Sequence, residues 1–473
     1  MTVPSFFFLA FALGCALAFN LSVARWWRQG VLLFANVYFL QSFAEDWRQL
    51  LPFAGFLALG YAGVVLRPRG GSWFFLLAVL AVFVWLKRYL FVPPELLLPQ
   101  GYLTVGLSYV FFRVMHLVID GWETVPKGIA GLISYVDYTL NFTSLVSGPI
   151  QRFEDYRRFE TKNLPLGEFV IGRAVERILI GFFKVYILSA ILASIQGAEI
   201  DTLSASQPWT TRLVEGTVIA GIYPVYLYLN FSGYTDFVIG TARFFRIELP
   251  ENFDRPFSAG NIISFWSKWH MSLTQWIKTY VFSPLLLTLF RRFPAPSIAP
   301  FLGVIAFFVT FFLVGFWHGQ TSEFLFFGIL QGGGLAANNL CQITLARKMG
   351  RSGYAKLTKN AIYAALMRGL TFTWFTFTLL WFWSNWAQLH GFASVLGAET
   401  SLALWLVLLV AATAILEALE RLRLLTPAIS IAGEPVLTSR YTRTVLSTVM
   451  AVTILVAAVI LSAPAPHIVY KTF

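Results

Sequence analysis

The stretch APFLGVIAFFVTFFLVGFWHG, residues 299–319, carries no charged side chain from Ala299 to Trp317 and then presents a histidine. A bilayer hydrocarbon core about 30 Å thick takes about 20 helical residues to cross, and 299–317 supplies that length. The same pattern recurs along the chain, most clearly at 3–20, 73–92, 171–195, 361–383, 402–416 and 443–462. Broken runs lie near 31–43, 52–66, 101–119, 132–150, 214–231 and 323–345. Composition agrees: 57% of the 473 residues are hydrophobic and 12% charged, against about 45–50% and about 25% in ordinary soluble domains. These runs predict an all-α integral membrane protein, one polytopic domain over 1–473. About eleven transmembrane helices are expected, with short re-entrant or interfacial helices between them.

Charge sets an expected orientation. Arg25 and Arg28 follow the first apolar run directly, and Arg67 and Arg69 recur two helices later. By the positive-inside rule these sit in the cytoplasm, with the N-terminus extracytoplasmic. The first run has neither a basic flank before it nor a small-residue cleavage site after it, and reads as a retained helix. Arg152, Arg157, Arg158 and Lys162, then Arg347, Lys348, Arg351, Lys356 and Lys359, then Arg421 and Arg423, mark further cytoplasmic loops. The net charge of +12 therefore reports membrane orientation and gives no argument for nucleic acid.

Several chemistries find no motif. Cys15 and Cys341 are far apart in apolar surroundings, which implies neither a disulfide framework nor a metal site. There is no HExxH, no phosphate-binding Gly-Lys loop and no GxSxG elbow. Gly332, Gly333 and Gly334 sit inside an apolar run and read as a place where helices pack closely. No inverted repeat stands out.

A second stretch, FWSKWHMSLTQWIKTYVF at 265–282, mixes tryptophans with polar residues. Projected as a helix, Trp266, Trp269, His270, Leu273, Trp276, Ile277 and Tyr280 share a stripe opposite Lys268, Gln275, Lys278 and Thr279. That describes a helix at the membrane interface, and His270 on its apolar face has a plain reading as a hydrogen-bonded core residue. His318 adds weight to a chemical one. It also follows a tryptophan, 48 residues after His270, in a chain with five histidines. Ionisable groups within a membrane tend to face a protein-lined cavity, and imidazole suits proton abstraction at neutral pH. His116 lies four residues before Asp120 and reads as a structural pair, whereas His390 and His467 fall in expected loops.

The blocks FSGYTDFVIGTARFFRIELPENFDRPF (231–257), SFWSKWHMSLTQWIKTYVFSPL (264–285) and TFFLVGFWHG (310–319) resemble the core of the membrane-bound O-acyltransferases. The likeness is to the bacterial alginate O-acetylase-like branch in particular. GLSYVFFRVMHLVID (106–120) and NFTSLVSGPIQRFEDY (141–156) resemble the two preceding blocks, in the same order. The motif core spans about 106–345. The resemblance implies a ring of membrane helices around a thinned centre and a central tunnel, through which a cytoplasmic thioester meets an acceptor from the other side. It implies His318 as the catalytic residue and His270 as the second polar residue of the site. Many relatives carry a further histidine where this chain has Gln331, a side chain that takes no proton at neutral pH.

The expected reaction moves a small acyl group, most simply acetyl, to hydroxyls of an exported polysaccharide or to a partner that acylates it. Acyl-CoA or an acyl carrier protein serves as donor substrate, with no bound cofactor and no metal. Expected partners are an extracytoplasmic acyltransferase or polysaccharide-modifying protein, an acyl carrier protein where it is the donor, and membrane lipid, at the inner or plasma membrane. Trp266, Trp269, Trp317 and Tyr234 are candidate channel-lining residues, with packing as the alternative. Asp236 and Arg243 share a helical face and Asn252 lies between prolines in PENFDRP; Asp236 and Asn252 are binding candidates, with ion pairing or loop bracing as the alternative. Ser147-Gly148-Pro149 reads as a helix break. D-alanyl transfer toward teichoic acid, a sugar-lipid flippase and a structural docking subunit are the competing readings.

Overall fold

The computed structural model describes residues 1–66, 72–99, 101–121, 123–158, 165–425, 430–431, 434–435 and 439–460. Arg67, Arg69, Lys162 and His467 lie outside the described residues. The described chain is built of helices. Its strand content is one antiparallel pair, Ser430–Ile431 with Glu434–Pro435, and an isolated bridge between Phe253 and Trp269. Two compact units form, one from the segments up to Val185 and Asn230–Glu251, the other from Tyr186–Leu229 and the chain from Asn252 onward.

The first unit contains α1 (Phe6–Asn20), α2 (Arg25–Gln41), α3 (Leu51–Val65), α4 (Ser72–Leu86), α5 (Leu107–Asp120), α6 (Ile129–Thr139) and α7 (Glu168–Phe182). Ser5 starts α1 by accepting from Phe8 N at 3.1 Å, which satisfies one of the amides every helix leaves open at its start. α5 is buried almost all round, from Leu107 to Val118. It nevertheless carries Arg113, 1% exposed. A buried guanidinium needs its donors filled, and Arg113 donates to the carbonyls of Thr139 at 3.1 Å and Ser144 at 2.9 Å, and to Ser144 Oγ at 2.7 Å. α5 is thereby tied to the end of α6 and to the buried, non-helical segment that follows, where Ser147-Gly148-Pro149 breaks the chain as expected. His116 forms its predicted contact with Asp120, at 3.8 Å, and its Nε2 accepts from Phe153 N at 3.1 Å.

α7 continues through a wide-turn segment, Phe183–Ser189, into α8 (Ala190–Thr202). α9 (Trp209–Arg243) also contributes residues to both units. Within the first unit, α7 lies close on the later part of α9, since a Cβ on Gly181 would stand 2.6 Å from the Gly233 carbonyl.

The second unit continues with α10 (Ile262–Trp266), α11 (Met271–Ile277), α12 (Ser283–Arg292), α13 (Ala299–His318), α14 (Ser322–Lys359), α15 (Ala361–Trp383), α16 (Trp386–Leu425) and α17 (Arg440–Ile460). α13 and α14 meet at glycines: a Cβ on Gly315 would lie 2.3 Å from Gly328 Cα. The expected packing role of the 332–334 triplet holds at Gly332, which faces the Phe308 carbonyl, and at Gly334, which faces the Trp374 indole. α14 bends at Gly350, φ 70°, and α16 at Gly397, φ 75°.

Five helices among the described residues are long and apolar enough to cross a membrane: Trp47–Val65, Glu168–Thr202, Ala299–His318, Ser322–Lys359 and Trp386–Leu424. Phe6–Asn20, Trp73–Leu86 and Tyr441–Ala457 are apolar but shorter.

Two local expectations are corrected. The stretch 265–282 is not one helix: it breaks between Trp266 and Met271, and wide turns follow at Lys278–Phe282. His390 lies inside α16, and Arg347 to Lys359 lie on α14, where loops were expected. Asp236 and Arg243 take the ion-pairing role given as their alternative, each with a partner outside their shared helix face. Asp236 is taken by Arg177 at 3.0 Å and Lys184 at 2.7 Å, both from the preceding helical segment, and Arg243 pairs with Glu248.

Candidate active site

The break at 267–270 is made by a segment far back in sequence. Asn252 and Asp254 run antiparallel to it: Asp254 N donates to the Lys268 carbonyl at 3.0 Å, and Met271 N donates to the Asn252 carbonyl at 2.9 Å. The Asn252 side chain completes the joint, with Oδ1 accepting from Ser272 N at 3.2 Å and Ser272 Oγ at 2.6 Å. A residue twenty positions upstream of Ser272 thus fills amide positions that a helix start leaves open. Between these contacts His270 takes a left-handed backbone, φ 45° and ψ 52°. That conformation is uncommon outside glycine and histidine is one of the residues enriched in it. The imidazole is 1% exposed.

Aromatic side chains lock the turn. Trp269 stacks on Phe265 at 5.6 Å, meets Phe253 edge-on at 5.1 Å and lies 5.0 Å from Phe375 of α15. Trp266 packs 4.9 Å from Phe311 of α13, and its indole N–H donates to Gln331 Oε1 of α14 at 3.1 Å. Gln331 Nε2 in turn donates to Thr378 Oγ1 of α15 at 2.7 Å.

His318 closes α13. Gly319 turns extended, φ −162°, and a side chain there would overlap the Phe324 ring. The imidazole is 2% exposed. Its neighbours are Trp317 at 4.7 Å, Phe382 of α15 at 5.1 Å and Phe327 of α14 at 5.9 Å.

The common support is one face of α15. Phe375, Thr378 and Phe382 follow each other at three and four residues, which places them on one side of a helix. They touch Trp269, Gln331 and His318 respectively. Phe375 and Phe382 are seven residues apart, roughly 10 Å along the axis at 1.5 Å per residue. The two Trp-His blocks are therefore braced at neighbouring levels of the same helix. Sequence reading had not singled out this stripe, although its period is visible in the apolar run 361–383.

The other candidates take distinct places. Trp317 is buried beside His318, and Asn252 is buried against Ser272, two residues after His270. Tyr234, in the first unit, accepts from Ser147 N at 3.1 Å. Asp236, also there, lies in a cluster with Arg177, Lys184 and Glu251. A pocket of about 190 Å³ runs beside Trp266, Leu273, Thr310, Phe311 and Val314. Val314 is four residues before His318, on the same side of α13. Among the described residues no group of three or more His, Cys, Asp or Glu side chains is arranged to hold a metal.

A family model described as "MBOAT, membrane-bound O-acyltransferase family" matches residues 122–380, more than half of the chain. The chain is 29% identical over 275 residues to a "Teichoic acid D-alanyltransferase" of Streptococcus thermophilus, covering 57% of this chain and 65% of that protein. It is 28% identical over 259 residues to a "Probable alginate O-acetylase" of Azotobacter vinelandii, 54% of this chain and 48% of the other. A "Peptidoglycan O-acetyltransferase" of Helicobacter pylori is 31% identical over 222 residues, 44% and 38%. In each case the match spans less than two thirds of the relative's length.

Proposed function

The chain belongs to the membrane-bound O-acyltransferase family, and on that premise we propose that it moves a small acyl group from a thioester to a hydroxyl, with His318 as the base. The observation that carries this reading is the bracing of His318 and of the His270 turn by one face of α15. His318 takes the proton of the acceptor hydroxyl as its oxygen attacks the thioester carbonyl. The C–S bond then breaks, and the thiolate leaves with the proton that His318 held. A positioned base contributes about 10²–10⁴-fold. His270 donates to the oxyanion, a contact whose loss costs about 10²–10³-fold, or holds the acceptor. Trp266, Trp269, Trp317 and Asn252 shape this site, and Tyr234 and Asp236 brace the first unit.

The donor is an acyl-CoA or acyl carrier thioester on the cytoplasmic side. The acceptor is an exported polysaccharide or an extracytoplasmic partner that modifies it, reached through a tunnel in a fold of about eleven spans. The chain works as one domain in the plasma or inner membrane, with its N-terminus outside. Acetyl is the simplest group consistent with the relatives named as O-acetylases and an O-acetyltransferase. D-alanyl transfer is the second reading, favoured by the relatives named as D-alanyltransferases. His318→Ala tests the base. The variant should accumulate in the membrane like the wild type yet form no acyl ester, and near-normal ester would overturn the assignment.

A further inference from the structure

The largest of the cavities described here, about 610 Å³, lies between α14 and α15 and takes no part in the site above. Gly333 and Gly334 mark one end. A Cβ on Gly333 would meet nothing within 4 Å, so the space begins at the backbone itself. The walls are mostly carbon, from Ala337, Leu345, Met367 and Leu370. The cavity opens sideways: Ala337, Cys341 and Leu370 line it and are also exposed. Ala337 and Cys341 belong to a helix long and apolar enough to cross a membrane, so this mouth faces hydrocarbon and is reached from the bilayer.

The far end has a different character. The bend at Gly350 places Tyr354 and Thr358 in the cavity wall, opposite Tyr363 at the start of α15. Around that bend lie Arg347, Lys348, Arg351, Lys356 and Lys359, and from Glu323 to Glu399 the sequence contains no acidic residue. Arg347 stands over the Phe301 ring. Lys348, Arg351, Lys356 and Lys359 are exposed, and no ion pair among the described residues includes them. Arg368, deeper on α15, is already ion-paired with Glu417 at 2.6 Å. Lys348, Arg351, Lys356 and Lys359 do not line the cavity itself but flank lining residues Leu345, Tyr354 and Thr358 within three positions in sequence, and a slot open to hydrocarbon beside uncompensated cations matches a molecule with an apolar chain and an anionic head.

We propose that this cavity is a binding site for one anionic phospholipid, its acyl chain between α14 and α15 and its phosphate against the basic bend at 347–359.

Cys341 supplies a direct readout, since it is exposed and the other cysteine, Cys15, is buried. The full-length Cys15→Ser protein in detergent, supplied with phosphatidylglycerol or phosphatidylcholine, is treated with a maleimide. Phosphatidylglycerol should slow labelling of Cys341 by about tenfold relative to phosphatidylcholine, since surface cations favour an anionic headgroup. The preference should vanish when Lys348, Arg351, Lys356 and Lys359 are all changed to Gln. Native mass spectrometry should show one retained phosphatidylglycerol on the wild type and none on Gly333→Leu, which fills open space. Equal protection by both lipids, or a preference that survives the fourfold change, would overturn the proposal. So would equal protection by coenzyme A without lipid, whose amides would instead answer Asn338 Oδ1 and Trp374 Nε1, groups in the wall without a protein partner.

Discussion

Asn252 holds Ser272 twice through one atom: its Oδ1 accepts both the amide and the hydroxyl of Ser272, at 3.2 and 2.6 Å. Both residues are buried, Asn252 fully. Two donors are therefore stranded if the amide is removed. Asn252→Ala should cost about 2–4 kcal/mol, the penalty for one or two unsatisfied buried groups, and Ser272→Ala less. The double variant should cost less than the sum, because the partners lose each other only once. Thermal unfolding of the four proteins in one detergent measures the cycle, and strict additivity would count against this joint.

The left-handed backbone of His270 separates its replacements. Asn tolerates φ 45° and keeps a donor, whereas Ala has neither property and a β-branched residue is excluded by sterics. Acyl transfer should fall in the order His270→Asn, then Ala, then Val. Stability should fall modestly for Ala and most for Val. Equal, complete loss of activity for Asn and Ala would assign proton transfer to this position instead of hydrogen-bond donation.

Gly315 and Gly328 let α13 and α14 touch backbone to backbone. Gly315→Ala inserts a methyl where 2.3 Å is available, so the helices must part, three residues before His318. Overpacking of this kind costs about 1–3 kcal/mol. The expected result is a marked loss of kcat with a smaller change in melting temperature. Gly333→Ala, which meets open space, should leave both unchanged.

Asp236 serves two cations, Arg177 and Lys184, at 3.0 and 2.7 Å, and all three side chains are largely covered. Asp236→Asn keeps the shape and removes the charge. Stranding the pair should cost about 1–3 kcal/mol, below the 3–5 kcal/mol of a fully buried pair. KM for the acceptor should stay within about twofold of wild type, as bracing requires. A rise in KM with unchanged stability would move Asp236 from bracing to substrate binding.

What could be read in advance follows the range of the interactions involved. The helix Ala299–His318 is set by its own apolar run, and it appears with its histidine at the end. The pairing of His116 with Asp120 is one helical turn long and was equally legible. The stretch 265–282 was misread because its helical period is real, yet hydrogen bonds from Asn252 and Asp254 outcompete the local ladder at 267–270. Asp236 and Arg243 share a helix face, but Arg177 and Lys184 come nearer from another segment. Gln331 drew notice only as a missing histidine. Its two hydrogen bonds to Trp266 and Thr378 depend on packing among three helices, which no local period reports.

Those two bonds have a further meaning for the traffic of protons. An indole nitrogen only donates, so Trp266 fixes the carbonyl end of the Gln331 amide and leaves its NH₂ for Thr378. The Thr378 hydroxyl then donates to the Phe375 carbonyl at 2.8 Å. Direction is settled at every link, and the chain ends on a main-chain oxygen with no acid or base beyond it. It is a blind alley for charge. On the mechanism proposed above, a proton taken up by His318 therefore finds no relay in the Trp266–Gln331–Thr378 joint.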